Sequence, residues 1–433
     1  MSGSTLDLVY QQLTSDGEGR VCRDIPDAAC NDQPRNFIVH VTSLAASKAS
    51  DGLIDPKLVL SWLLTSLGAG TVFVGLLVPV REAGALLPQL FTAGAIRAMP
   101  RRKWAWAVGA AIQGLCALGM AVAALTLEGA AAGYAIVALL AVLALARSVC
   151  SVSYKDVLGK TVDKSKRGTA TGTAGTLAAG FVICFALLLA SGWVDKNVLV
   201  PAALTLAGIF WILGAVNFTT LSEAPGATEG GANAIGAAID NISLLKRDAQ
   251  LRRFIATRGL LISTALAPPF MVAMAGASDD RAYQELGFLV LASAAAGLVS
   301  SYVWGRLADR SSRKVLIFSA LAGGLALVAT WWAGRAGWLA VTGVLPALLF
   351  ALMIAYQGVR LGRSTHLVDM ASVETRAAYT ALSNTIIGIL LLAGGLFSWV
   401  GAAFGPGTVI ALLAAMSALA IPVALGLDEV QAD

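Results

Sequence analysis

A chain of 433 residues that is 57% hydrophobic and 13% charged, with a mean hydropathy of +0.75, has about half the charge that a soluble surface of this size requires. The composition excludes a soluble globular domain and makes lipid the solvent. The basic excess, 31 Lys and Arg against 26 Asp and Glu, follows from membrane topology and anionic inner-leaflet lipid and calls for no nucleic-acid partner.

Residues 1–35 are polar and mixed in charge and lack the apolar stretch of a secretory signal, so they read as a cytoplasmic N-terminal tail. Cys22 and Cys30 in this tail read as separate reduced thiols, as do Cys116, Cys150 and Cys184 within apolar runs.

A spanning helix needs about 20 mainly apolar residues. Twelve segments qualify: 37–66, 71–94, 104–127, 131–153, 169–193, 198–221, 254–276, 283–306, 315–334, 337–361, 377–401 and 406–427. The first is the least regular, because 47–57 (SKASDGLIDPK) is polar and contains Gly52 and Pro56. Starting it at Leu58 would leave only 84–96, about 20 Å of helix, for the return crossing. The stretch 37–66 is therefore read as one spanning helix broken near Gly52–Pro56, with its charges turned to protein or water.

Loop charge agrees with this count. The loops after even-numbered spans hold 20 basic residues, including Arg101, Arg102, Lys103, Lys166, Arg167, Arg313 and Lys314, whereas the opposite loops hold Lys196, Arg281 and Arg335. The positive-inside rule then places both termini in the cytoplasm. Pro, Gly and clustered charge make 223–252 a linker between an N-terminal six-helix half (36–222) and a C-terminal one (253–427), leaving 428–433 as a tail. The halves carry matching segments: GAIRAMPRRK at 94–103 with GRLADRSSRK at 305–314, and DKSKRGTATGTAG at 163–175 with SVETRAAYTALSN at 372–384.

GRLADRSSRK resembles the loop signature of the major facilitator superfamily, matching at Gly305, Leu307, Asp309, Arg310, Arg313 and Lys314 and departing at Ser312. It falls between the eighth and ninth spans, the position that family uses. Its first-half partner keeps the basic close but has Ala98 and Met99 in place of the Asp-Arg pair. Arg147 in the fourth span and Lys166-Arg167-Gly168 before the fifth extend the resemblance. It implies an all-α membrane protein of twelve transmembrane helices in two pseudo-symmetric halves that rock about a mid-membrane site. In that setting Asp309 is expected to accept from helix amides or arginines as a gating latch, with Gly305, Arg310 and Arg313 beside it, the basic residues mainly setting topology.

Ionisable residues at mid-membrane depth are the candidate site. Lys48, Asp51 and Asp55 are spaced i, i+3, i+7, a spacing that puts them on one helical face, and Arg81 and Glu82 in the second span reach similar depth. Asp55 and Lys57 lie nearer the outer interface, where water can reach them. The group reads either as a substrate-binding and proton-coupling cluster or as a closed structural network. Arg147, Tyr356, Gln357 and Asn384 are further candidates to line a cavity. His40 and His366 read as interfacial, and Ala265–Pro269 as a kink in the seventh span. No nucleotide loop, metal-ligand spacing or nucleophile elbow is present, so no enzyme, cofactor or metal is expected. The function expected is secondary transport of a small-molecule substrate, proton-coupled, by a monomer in lipid of a bacterial inner membrane. The alternative is a non-transporting scaffold, or a delivery factor for a lipophilic pigment or metal complex.

Overall fold

The computed structural model describes residues 3–14, 22, 25, 27–226, 245–276, 285–371 and 376–431. Among them the chain forms seventeen α-helices and no strand. These are α1 (Gly3–Thr14), α2 (Asp27–Leu53), α3 (Val59–Ser66), α4 (Thr71–Leu86), α5 (Gln89–Arg97), α6 (Lys103–Thr126), α7 (Gly129–Thr161), α8 (Lys164–Ser191) and α9 (Lys196–Thr219). After the interval 227–244 follow α10 (Ala249–Leu260), α11 (Ser263–Gly276), α12 (Leu286–Arg310), α13 (Ser312–Arg335), α14 (Val344–Met370), α15 (Arg376–Gly394), α16 (Leu396–Phe404) and α17 (Pro406–Leu425).

In hydrocarbon a backbone amide finds a partner only within its own helix, so apolar runs of this length become helices. Their starts are marked by aspartates: Asp163, Asp195 and Asp248 accept from the first free amides of α8, α9 and α10. Along α6, Val108, Leu115, Val122 and Leu125 are exposed as a lipid-facing stripe while Gln113 opposite is buried. Helices α6 and α9 approach closely at Gly114 and Gly208, where a Cβ on either would press on the other's carbonyl oxygen.

Nine helical stretches among the described residues are long and apolar enough to cross a membrane, α10–α11 and α15–α16 each counting as one. Three of the twelve expected spans stand outside these nine: 37–66 and 71–94 because both are broken, α2 giving way to α3 across 54–58 and α4 to α5 at Leu87–Pro88, and 283–306 because its apolar part in α12 is the shorter stretch Leu286–Ser300. The first break is where the sequence placed it. The kink expected at Ala265–Pro269 is not there: α11 runs through Pro268 and Pro269, which leave the carbonyls of Thr264 and Ala265 without their usual amide partners, and the break in the seventh span lies earlier, at Leu261–Ile262.

Helix α6 packs on α7 and α9, and α2 on α8 and α9; later in the chain α14 packs on α12 and α13, and α17 on α11 and α13. Contacts between the two groups run through α8 with α12 and through α4 with α11, α15 and α16. Gly75 meets Ser398 and Gly388 meets Leu87, so α4 runs antiparallel to α15–α16, and the α5–α6 and α12–α13 junctions share one end of the bundle with both chain ends. That end is called the termini end below.

Two readings of the N-terminal region change. Helix α2 begins at Asp27, and α1 packs on it through Tyr10 and Phe37, whose rings meet edge to face at 5.3 Å. The tail thiols are joined as a Cys22–Cys30 disulfide, with Cys30 in the first turn of α2 and the two Cα atoms 6.0 Å apart.

Candidate functional site

Asp51 is the centre of a half-buried charge network. One carboxylate oxygen accepts from Arg81 Nη2 at 2.7 Å and the other from Arg147 Nη1 at 2.6 Å. Arg147 also donates to Ser47 Oγ at 3.3 Å, and the same hydroxyl accepts from Trp211 Nε1 at 3.1 Å. Four helices, α2, α4, α7 and α9, are tied together by one carboxylate and one serine. An unpaired charge here costs several kcal/mol, so each member holds the others in place.

Lys48, Asp51 and Asp55 do not share a helical face as expected, because α2 ends at Leu53 and Asp55 lies in the break. Its Oδ1 accepts from the amides of Lys57 at 2.7 Å and Leu58 at 3.1 Å, satisfying the groups that the interruption leaves free. Lys57, expected in water at the outer interface, is buried, with its ammonium 3.7 Å from the centre of the Tyr356 ring. This cation–π contact joins the broken first span to α14.

A cavity of about 370 Å3 opens between α2, α8, α12 and α14 at this depth. Lys48, Asp55, Ser293, Gln357 and Arg360 supply its polar wall, and Gly52, Gly175 and Gly297 leave it room. Lys48 Nζ donates to the Thr171 carbonyl at 3.1 Å, and Arg360 Nη1 to Gln357 Oε1 at 3.5 Å. A second cavity of about 310 Å3 shares Gly297, Gln357 and Arg360 and continues past Trp304, Leu361 and Ser364 toward the termini end. At the opposite end α8 and α12 touch, so that a Cβ on Gly287 would collide with the Ala190 backbone.

Glu82 stands apart from Asp51, at a void of about 30 Å3 beside Arg258, Tyr356, Arg360 and Arg363. Arg258 is buried and donates to Ser383 Oγ at 2.7 Å and Asn384 Oδ1 at 2.9 Å, while its Nε has no partner. Of the residues named from sequence, Lys48, Asp55, Gln357 and Tyr356 meet at or beside the cavity, Asp51, Arg81 and Arg147 form the network behind it, and Asn384 serves Arg258. Sequence reasoning missed Lys57 and Arg258, and counted Arg360 and Arg363 as loop charges because they close an apolar run; α14 continues to Met370 and sets both on cavity walls, Arg363 half-buried and Arg360 exposed.

The family-like motif is also relocated. Gly305 to Arg310 form the last turns of α12, and the loop shrinks to Ser311, which caps α13 by accepting from the Lys314 amide at 3.0 Å. The Asp309 side chain lies outside the described residues. Arg313 is half-buried and Arg310 exposed. Ser312, the departure from the motif, bonds to His366 Nδ1 at 2.9 Å, and its amide donates to Gln431 Oε1 at 2.8 Å. Ser311 Oγ donates to Glu429 at 2.6 Å. The corresponding first-half junction is held by Glu223, whose carboxylate accepts from the amides of Arg102 at 3.0 Å and Lys103 at 2.8 Å and from Lys160 Nζ at 3.2 Å. His40 and His366, expected to be interfacial, are both fully buried, His40 against Thr161 Oγ1 at 2.8 Å.

No family model and no curated protein matches this chain in sequence. Solved structures match it in shape. The nucleoside transporter NupG, as a mutant, superposes with a TM-score of 0.71 at 14% identity over 90% of this chain and 99% of its own. A D-xylose–proton symporter gives 0.64 at 12% over 91% and 98%. The xylose transporter XylE from E. coli, in a partially occluded inward open conformation, gives 0.62 at 12% over 92% and 99%. The chain has the major facilitator fold.

Proposed function

We propose that this protein is a secondary transporter that moves a small solute by alternating access, with proton coupling. The observation that carries the reading is the mid-depth cavity, whose polar wall comes from both groups of helices and continues toward only one end of the bundle. In this reading the halves 36–222 and 253–427, joined by 223–252, are the rocking bodies, the chain crosses a bacterial inner membrane twelve times with both termini on the cytoplasmic side that the loop charges favour, and the protein works as a monomer in lipid. Fold neighbours that include a D-xylose–proton symporter support coupling to a proton.

Asp55 is the coupling carboxylate in this reading. It lies on the cavity wall, and its Oδ1 caps the broken first span, so protonation weakens two amide bonds at the break. Binding and release of a proton there change the stiffness of the span that lines the cavity. Lys48, Arg360, Gln357 and Tyr356 are the substrate-facing candidates, and Asp51, Arg81 and Arg147 the scaffold behind them.

The test is flux in proteoliposomes of any solute that raises the melting temperature of the purified protein. An imposed pH gradient is expected to accelerate uptake about tenfold, and Asp55→Asn to abolish that acceleration while leaving solute exchange. Absence of flux for every stabilising solute favours the scaffold reading, and gradient-insensitive flux removes the proton.

A further inference from the structure

The charges around the cavity are unequal in a way that specifies its ligand. Among the described residues seven cations (Lys48, Lys57, Arg81, Arg147, Arg258, Arg360 and Arg363) and three carboxylates (Asp51, Asp55 and Glu82) lie around it. The carboxylates are already engaged. Asp51 takes both Arg81 and Arg147, Asp55 takes two amides of the break, and Glu82 faces Lys57, Arg81, Arg363 and Arg360 from outside the main cavity.

Among the described residues Lys48 and Arg360 remain on the cavity wall with only neutral partners: a backbone carbonyl for Lys48, and for Arg360 a side-chain amide and the face of the Tyr356 ring at 5.9 Å. They come from α2 and α14, one from each half, and they repel each other across the gap. Space is kept beside both: a Cβ on Gly175 would stand 3.3 Å from Lys48 Nζ, and one on Gly297 3.3 Å from Gln357 Nε2, the residue that Arg360 bonds. Two cations with room next to them and no carboxylate of their own form an anion site, and a guanidinium suits a planar or tetrahedral oxyanion by its paired donors.

We propose that the cavity binds a small organic anion, a carboxylate or phosphate ester, held between Lys48 of the first half and Arg360 of the second. This rests on the transport reading above and names its substrate class. Without the anion, repulsion between the two cations keeps the halves apart at this level. With it, each cation is attracted to a shared partner, and the two walls are drawn together around the solute. Ser293 and Gln357 supply hydrogen bonds for its neutral part, and the volume of about 370 Å3 suits a ligand of metabolite size.

The site is tested without knowing the natural ligand by placing a thiol in the cavity. Ser293→Cys, with Ala294→Cys as a second reporter on the same wall, is made in the full chain carrying Cys184→Ser, since Cys184 is exposed while Cys116 and Cys150 are buried. In proteoliposomes, its modification by a negatively charged methanethiosulfonate (ethylsulfonate) is compared with that by a positively charged one (ethyltrimethylammonium), each rate divided by that of free cysteine. A cation-lined cavity gives the anionic reagent an advantage of about tenfold or more, and Lys48→Gln with Arg360→Gln brings the ratio to about one. A ratio near one in the parent, or one unchanged in the double variant, overturns the anion assignment and leaves transport standing. If neither reporter reacts with either reagent from either face, the cavity is not an aqueous path and both readings fall.

Discussion

The two halves share an architecture and differ in how far they pair the charges that face inward. In the first half, among the described residues, five ion pairs match cations to acids: Arg81 and Arg147 to Asp51, Arg102 and Lys160 to Asp156, and Lys160 also to Glu223, while Lys57 rests on the Tyr356 ring and Lys48 on the Thr171 carbonyl. Burial works against the charge on Asp156, and the bonds from Lys160 and Arg102 overcome it, holding that carboxyl below the usual range. In the second half no carboxylate stands within ion-pairing distance of Arg258, Arg360 or Arg363 among the described residues. Serine, asparagine and glutamine oxygens serve them instead. A matched pair inside low-dielectric surroundings fixes geometry, whereas a cation held by neutral groups keeps its field for something that arrives later. The first half is thereby braced by its ion pairs, and the second, with Lys48 of the first half opposite, presents positive charge to the cavity.

The largest effect that distinguishes them is a single neutralisation in each half. Asp51→Asn leaves two arginines unmatched at mid-depth and is expected to destabilise the protein by about 3–5 kcal/mol, seen as loss of the monodisperse peak in size-exclusion chromatography and a lower melting temperature. Arg258→Gln removes a cation whose partners are neutral, at a cost of about 1 kcal/mol. If the two variants melt alike, the asymmetry between the halves does not exist.

A middle-sized contrast lies at the termini end. Glu223→Ala removes a carboxylate that caps α6 through two amides and binds Lys160, and is expected to cost about 2 kcal/mol. Glu429→Ala at the equivalent second-half junction loses one serine hydroxyl bond, and about 1 kcal/mol or less. Thermal unfolding of the pair in the same detergent checks the order, and a larger loss for Glu429→Ala reverses it. The acid missing at Ala98–Met99 in the first-half motif is thus supplied from beyond α9, four residues after its end, just as Glu429 follows the end of α17.

What the sequence made legible follows from physics that acts locally. Apolar runs the width of a membrane declare helices, and Gly52 and Pro56 declared the break in the first span, since one frees the backbone and the other lacks a donor. Pro88 carries the same signal for the α4–α5 break, but the apolar residues around it hid the interruption. Depth was legible for Asp51, Arg81 and Arg147; their pairing was not, because Asp51 and Arg147 are 96 residues apart in the chain and only packing of α2 on α7 joins them. Arg258 and Arg360 were illegible for a different reason. A basic residue at the end of an apolar run satisfies the positive-inside rule equally well whether it faces water or a cavity. The Cys22–Cys30 bond escaped because α2 begins at Asp27, earlier than the apolar pattern announces, and so puts Cys30 on a helix with Cys22 in reach.

The smallest and most specific difference concerns pH at the second-half junction. His366 is buried at the end of α14, stacked on Phe254 and bonded to Ser312 Oγ. Burial pushes its pKa below 6.5; Arg313 acts the same way, while Glu429, Asp369 and Asp428 oppose the shift without cancelling it. A histidine with a lowered folded pKa binds protons more weakly than the unfolded chain, so its contribution to stability is complete above pH 6.5 and is lost as pH falls from there toward the folded value. The junction made by Ser311, Ser312, Glu429 and Gln431 should therefore loosen on mild acidification, whereas the Glu223 junction, which contains no histidine, should not. Amide hydrogen exchange at pH 7.5 and 5.5, corrected for intrinsic rates, is expected to show a few-fold loss of protection at Ser311–Ser312 and none at Arg102–Lys103. His366→Gln should flatten the response. Equal loss at both junctions would mean that acid acts on the whole bundle and not through this ring.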